Sequence, residues 1–158
     1  MFTIFSEMLR ASTKNEIDLL KMNKIRNIVK YPPKIQLDRD MFATFSDSSE
    51  NTYFHPGIIQ RLSERTKEDS LLNLISKNSG LDWFGINFIL RYILWWNGEI
   101  NEKLNIDDTI LKDAGIVRLT KDKIRIIAKA GNNGENHNHN DIGSFIIHHS
   151  GENFITDP

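Results

Sequence analysis

The sequence predicts an α+β chain in which helices come first and antiparallel strands follow. Two observations carry this. Ahead of about residue 110 the apolar residues recur at helical spacing, and from Asp113 onward the period shortens to two. A short hairpin signal, Ser150-Gly151, then separates two of the β-rich runs. The division falls at 1–109 and 110–158.

Phe2, Phe5 and Leu9 place apolar residues on the first turns after Met1, so the chain is expected to open inside a helix. Ile17, Leu20, Met22, Ile25 and Ile28 fall on one broad stripe, with Asn15 as N-cap and Pro32-Pro33 as a stop. Phe42, Phe45, Tyr53 and Phe54 flank the polar run Ser46–Glu50, which reads as a loop with aromatic anchors. Pro56 opens a helix through Arg65, and Lys67 to Lys77 forms another that ends near Gly80. Trp83 to Trp96 is apolar almost all round, which predicts a helix buried on most faces and ended by Gly98. Short links between these helices imply hairpins stacked side by side.

In Lys123–Lys129, Ile124, Ile126 and Ala128 share one face of a strand, with Arg125 and Lys129 on the other. Ile142–His149 and Glu152–Asp157 are further β-rich runs, and Gly131-Asn132-Asn133-Gly134 is a turn or loop. Three or four strands ending at Asp157-Pro158 do not close a sandwich, so the sheet is expected to be unfinished.

Composition narrows the function classes. The 158 residues are 39% hydrophobic and 26% charged, as in a soluble globular protein. A net charge of −1 gives no global field to attract nucleic acid or an anionic membrane, and neither partner is expected. Without cysteine, disulfides and thiolate metal sites are excluded. No signal peptide is visible, and the most apolar run, interrupted by Gly85, Asn87 and Arg91, is too short and polar to span a bilayer.

Chemistry concentrates in Asn136-His137-Asn138-His139-Asn140-Asp141. In extended backbone, His137, His139 and Asp141 lie on the same side and Asn138 on the other. Two imidazoles and a carboxylate beside a glycine-rich loop can bind a divalent metal such as zinc or relay protons. A polar loop that caps neighbouring backbone is the plainer alternative.

The wider stretch, Ile126 through Ile147 and then Gly151 and Ile155-Thr156-Asp157-Pro158, resembles the heparinase II/III-like polysaccharide lyases. Their signature runs from a strand into a glycine-rich loop, then H-x-H-x-D-x-x-x-F, then a hairpin ending in aspartate. Phe42-Ala43-Thr44-Phe45-Ser46-Asp47 is similar to the family's F-x-x-F-[AS]-D segment. The resemblance implies an α+β multidomain fragment: helical hairpins from the end of an α/α toroid, followed by the first strands of an antiparallel β-sandwich.

It also implies β-elimination on an acidic polysaccharide or oligosaccharide. The C5 proton of a uronate is weakly acidic until its carboxylate is neutralised, so the enzyme needs a neutralising contact, a base, and an acid for the leaving oxygen. On this resemblance His137 faces substrate, while His139 and Asp157 are ligands of a mainly structural zinc ion. Asp141 fixes a loop or orients an imidazole. The resemblance further implies that the family's catalytic tyrosine, in an E-G-x-x-Y-like segment, precedes residue 1 and that the third zinc-binding histidine follows Pro158; Tyr31, Tyr53 and Tyr92 lie in the wrong segments to replace that tyrosine. The chain alone is therefore expected to be inactive.

His148 and His149 are adjacent on a strand, so at most one can join a site. Trp95 and Trp96 are expected in the core and His55 at a helix entry, and the placement of Asp47, Glu50 and Arg61 is left open. A non-catalytic remnant and a metal-binding β-module are the competing readings. Sequence alone leaves the polysaccharide, whether heparan-type or alginate, the compartment and the oligomeric state open.

Overall fold

The computed structural model describes residues 1–79, 85–102, 104–131, 134 and 142–156. They form two compact units, each drawn from two stretches of chain. The helical unit comprises Met1–Pro33 and Tyr53–Lys103, and the strand unit comprises Lys34–Thr52 and Leu104–Pro158. Helices together with one antiparallel sheet make the chain α+β, as its sequence predicts.

In the helical unit the principal helices are α1 (Phe2–Ser12), α2 (Asn23–Ile28), α4 (Pro56–Thr66) and α5 (Ile86–Trp95). A short α3 (Tyr31–Ile35) crosses into the second unit. Helix α4 is the hub, packing against α1, α5 and the 3₁₀ turns Leu19–Lys21 and Asp69–Leu74. It starts where Pro56 predicts, since a proline at the first position gives up an N–H that no helical carbonyl would accept. It stops at Lys67 in left-handed conformation, φ 61°. Gly57 lets α5 come close: a Cβ there would sit 2.8 Å from the Arg91 carbonyl carbon.

Several helical expectations are corrected. No single helix covers the stripe from Ile17 to Ile28, of which only Leu20 is buried. Asn15 does not cap its start; at φ 71° it closes the end of α1, donating its N–H to the Arg10 carbonyl at 2.8 Å. Pro32-Pro33 begins α3 instead of stopping a helix, because first-turn N–H groups have no intrahelical partner to lose. The predicted helix over Lys67–Lys77 is a 3₁₀ turn of six residues, Asp69–Leu74. Helix α5 is not buried on most faces: Ile86, Leu90, Ile93 and Leu94 stay exposed. Its apolar residues go all round, but α4 covers only one side of it in this unit. Trp95 and Trp96 are accordingly half-buried instead of core.

In the strand unit five described strands pair as an antiparallel meander in chain order. They are β1 (Thr109–Leu111), β2 (Ile116–Lys121), β3 (Ile124–Lys129), β4 (Phe145–His149) and β5 (Glu152–Ile155). Sequence foresaw three or four. Ser150 and Gly151 both take positive φ, 53° and 93°, as a two-residue hairpin with the right-handed twist of its strands requires. The core lies between one sheet face and Lys34–Thr52, and joins Leu37, Ala43 and Phe45 to Ile116, Ile127 and Ile146. Phe42 and Phe45 thus anchor their segment as expected, whereas Tyr53 is exposed.

Candidate functional site

The His137 and His139 run, Asp141 and Asp157 lie outside the described residues. Their immediate supports are described. In register, Ala128 of β3 faces Phe145 of β4, and Ile147 faces Ile155 of β5. Hence β3 ends, β4 begins and β5 ends at one end of the sheet. Residues 135–141 join β3 to β4 in the chain, and Asp157 follows β5. With strands about 4.8 Å apart, the backbones of β3 and β5 are separated by about 10 Å.

This end is braced. Lys129 N–H donates to Ser144 O at 2.9 Å, and Gly143 N–H donates to Lys129 O at 2.8 Å. Gly143 takes φ 88°, a conformation that favours glycine. The Ala130 N–H donates to Gly115 O at 2.6 Å. A Cβ on Gly115 would lie 2.7 Å from the Ala130 carbonyl carbon, so the β1–β2 turn and the start of the β3–β4 connection touch through a position that admits no side chain.

Charged residues on the same strands point inward. Lys129 is only 5% exposed, and its Nζ donates to Ser46 Oγ at 3.3 Å. Ser46, in the F-x-x-F-S-D stretch, holds φ 59°. Arg118 is buried and donates to the Gln36 carbonyl at 2.9 Å and to the Asp107 carbonyl at 2.8 Å. Burial, aided by the nearby Arg125 charge, pushes its pKa down to about 10, so it remains a cation at neutral pH. Sequence placed Arg125 and Lys129 opposite Ile124 and Ile126 without identifying theirs as the core face. The signal that could have done so is Ile127, which shares their parity and is fully buried.

His148 and His149 divide as strand alternation requires. His148 has no exposed surface, while His149 is exposed and stacks at 5.9 Å on Phe154. The His148 Nδ1–H donates to Asn153 Oδ1 at 2.8 Å, because the Asn153 amide nitrogen is already directed at Glu50. Its Nε2 lies 3.3 Å from both Asp38 Oδ2 and the Gly151 N–H. Sequence did not find this set, since Asp38 and Glu50 are about a hundred residues from their partners. It ties Lys34–Thr52 to the β4–β5 hairpin, whose pairing shifts between Ile147 and His148.

In the helical unit His55 is the N-cap of α4, as its position before Pro56 predicts. Nδ1 accepts from Ile58 N–H at 3.2 Å and Nε2–H donates to Phe88 O at 2.9 Å. Burial pushes its pKa below 6.5 against the raising effect of the Phe88 bond, which suits a neutral imidazole. Arg61 bonds Glu7 at 2.6 Å and lies over Trp95 at 5.7 Å, a structural placement. Among the described residues no three His, Asp or Glu side chains are grouped to hold a metal.

Residues 104–158 match the family model described as heparinase II/III-like, C-terminal. Through this region, about a third of the chain, it is similar to the heparinase II/III-like family. No curated protein matches the chain significantly. The family is one of polysaccharide lyases, and a polysaccharide is the substrate class it implies. No helix among the described residues is long and apolar enough to cross a membrane.

Proposed function

We propose that the chain serves β-elimination of a uronic-acid-containing polysaccharide, with His137 facing the substrate. The family match over 104–158, which spans the whole histidine run, is the observation that carries this reading. The common end of β3, β4 and β5 supports it, because the segments bearing His137, His139 and Asp157 attach to the sheet there. His137 would exchange a proton with the sugar, at C5 or at the departing glycosidic oxygen. The inward Lys129 and the Gly115–Ala130 contact hold the base of its segment.

His139 and Asp157 would hold zinc. An imidazole and a carboxylate are donors that zinc accepts at about 2.0–2.2 Å. Bound there, the ion would cross-link the β3–β4 connection to the chain after β5. The helices and strands would correspond to the end of an α/α toroid and the start of a β-sandwich.

The test is release of unsaturated uronate, read as ultraviolet absorbance, from heparan-type chains and alginate by a form that also carries the family's tyrosine. His137→Ala should lower the rate by about 10²–10⁴-fold. Wild-type activity in that variant would sink the assignment. His139→Ala should abolish one-to-one zinc binding while the far-ultraviolet spectrum stays unchanged.

A further inference from the structure

We infer that His148 is a proton-operated latch inside the strand unit: uncharged it holds the tip of the β4–β5 hairpin, and protonated it holds Asp38 of the Lys34–Thr52 segment instead. The geometry permits only one of these contacts at a time. His148 Nε2 lies 3.3 Å from the Gly151 N–H, a donor, and 3.3 Å from Asp38 Oδ2, an acceptor. A ring nitrogen carries either a lone pair or a proton, so it cannot serve both. The other nitrogen has no such choice. Asn153 Nδ2 donates to Glu50 Oε1, which turns Asn153 Oδ1 toward the ring, and Nδ1 keeps its proton to donate there at 2.8 Å. The uncharged imidazole therefore has its lone pair at Nε2, accepts from Gly151, and meets the Asp38 oxygen as acceptor against acceptor. A proton taken from solvent onto Nε2 reverses this. The imidazolium donates to Asp38, and the Gly151 N–H loses its acceptor.

The surroundings accommodate both states. Asp38 Oδ1 already accepts the Arg39 N–H at 2.8 Å, which leaves Oδ2 for the histidine. The Asp38 side chain is 32% exposed, whereas His148 has no exposed surface, so a solvated carboxylate lies against a buried ring. The charged groups facing His148 are Asp38 and, through Asn153, Glu50 from Lys34–Thr52, with Arg125 opposite it in register on β3. From β5 comes the neutral Asn153, while Glu152 pairs with His149 on the outer face. A proton added to the ring is thus not left as an unpaired buried charge. The hairpin it releases is already irregular: Ser150 and Gly151 both hold positive φ, and the pairing shifts between Ile147 and His148. Acid loosens the hairpin tip and fastens Lys34–Thr52 to β4. The latch uses no residue of the histidine run and stands whether or not the lyase reading holds.

The experiment records the His148 ring nitrogens and the Gly151 amide in nitrogen-15 spectra of the full chain, from about pH 8 down to about pH 5. At the upper end Nδ1 should carry a proton and Nε2 should not. As pH falls Nε2 should gain one, and protection of the Gly151 N–H against exchange should drop about fivefold over the same interval. Asp38→Ala, at a partly exposed site, should leave Gly151 protected across that interval. Circular dichroism checks that each sample stays folded. The ring and Gly151 readouts in the unaltered chain decide the matter even if the variant does not fold. A proton on Nε2 at the upper end, or a ring that titrates without any change at Gly151, overturns the latch. So does a ring that takes up no proton before the low end or before the chain unfolds, or a Gly151 response that survives in Asp38→Ala.

Discussion

The two units solve the same problem with different chemistry. In the helical unit, α1, α4 and the Leu19–Lys21 turn meet through charges. Glu7 accepts from Arg61 and from Arg65 at 2.7 Å, and Arg65 also bonds Asp18 at 2.7 Å. Arg10 lies 3.7 Å from Glu7 and 3.8 Å from Asp18. Burial alone would raise the pKa values of Glu7 and Asp18, but the arginines outweigh it and hold both below the usual carboxylate range. In the strand unit the equivalent place is filled by Leu37, Phe45, Ile116, Ile127 and Ile146. A charge network confers geometry and tolerates a small core. An apolar layer gives more stability per residue but less selectivity among neighbours. The difference teaches where each unit is vulnerable.

The largest effects should come from the two glycines that replace side chains by backbone contact. Gly57→Ala should cost the helical unit about 3 kcal/mol, because its new Cβ meets the carbonyl group of Arg91. Fluorescence reads this, since Trp95 and Trp96 both belong to that unit. Gly115→Ala should cost the strand unit about as much, adding positive-φ strain to overlap with Ala130. Amide exchange in β3 reports it. If each variant softens both units equally, the two do not differ as described.

Glu7→Gln and Ile127→Ala are expected to cost about as much, roughly 3 kcal/mol each, for opposite reasons. Glu7→Gln leaves Arg61 and Arg65 short of a counter-charge, so molar salt should shrink its effect. Ile127→Ala leaves a cavity at a residue with no exposed surface, and salt should not relieve it. Denaturant titrations at low and high salt distinguish them.

A smaller, pH-dependent difference is expected. His55 has a folded-state pKa below its unfolded 6.5, so the unfolded chain takes up the proton first as pH falls. His55 therefore adds stability to the helical unit above about pH 6.5 and loses it through the window below. Glu7 and Asp18, with lowered pKa values, contribute above 4.5 and 3.8 and lose stability at still lower pH. His55→Asn keeps a capping acceptor and should flatten the slope between pH 7 and 5 while costing about 1 kcal/mol. An unchanged slope would count against the cap.

The smallest change belongs to the outer sheet face, where Leu119 and Ile126 are exposed and adjacent in register. Leu119→Thr should alter stability by no more than about 0.5 kcal/mol in thermal melts. A larger loss would mean that this face is covered in solution.

The parts of the fold legible in sequence were those fixed by a local rule. Pro56 announced α4, His55 its cap, and Ser150-Gly151 the β4–β5 hairpin. What escaped was set by distant partners. Nothing in the spacing of Phe42 and Phe45 says that they pack with Ile116 and Ile146, and nothing in the Trp83–Trp96 pattern says how few neighbours α5 has. On β3 the alternation was right, but which face is buried depends on Lys34–Thr52, remote in sequence. The histidine run showed the opposite balance. Its family likeness was readable from residue types, whereas Asp38, Asn153 and Glu50 around His148 emerge only from folding.

The interleaving of the two units has a consequence for synthesis. Leu37, Ala43 and Phe45 leave the ribosome before all of Tyr53–Lys103, while the strands they pack against come afterwards. At about 5–20 residues per second, that interval lasts on the order of 3–10 s. Through it these apolar side chains have no sheet to lie on. The strand unit is thus completed last, when its earliest segment is captured by its latest strands, and a chaperone that shields short apolar stretches would act at Lys34–Thr52.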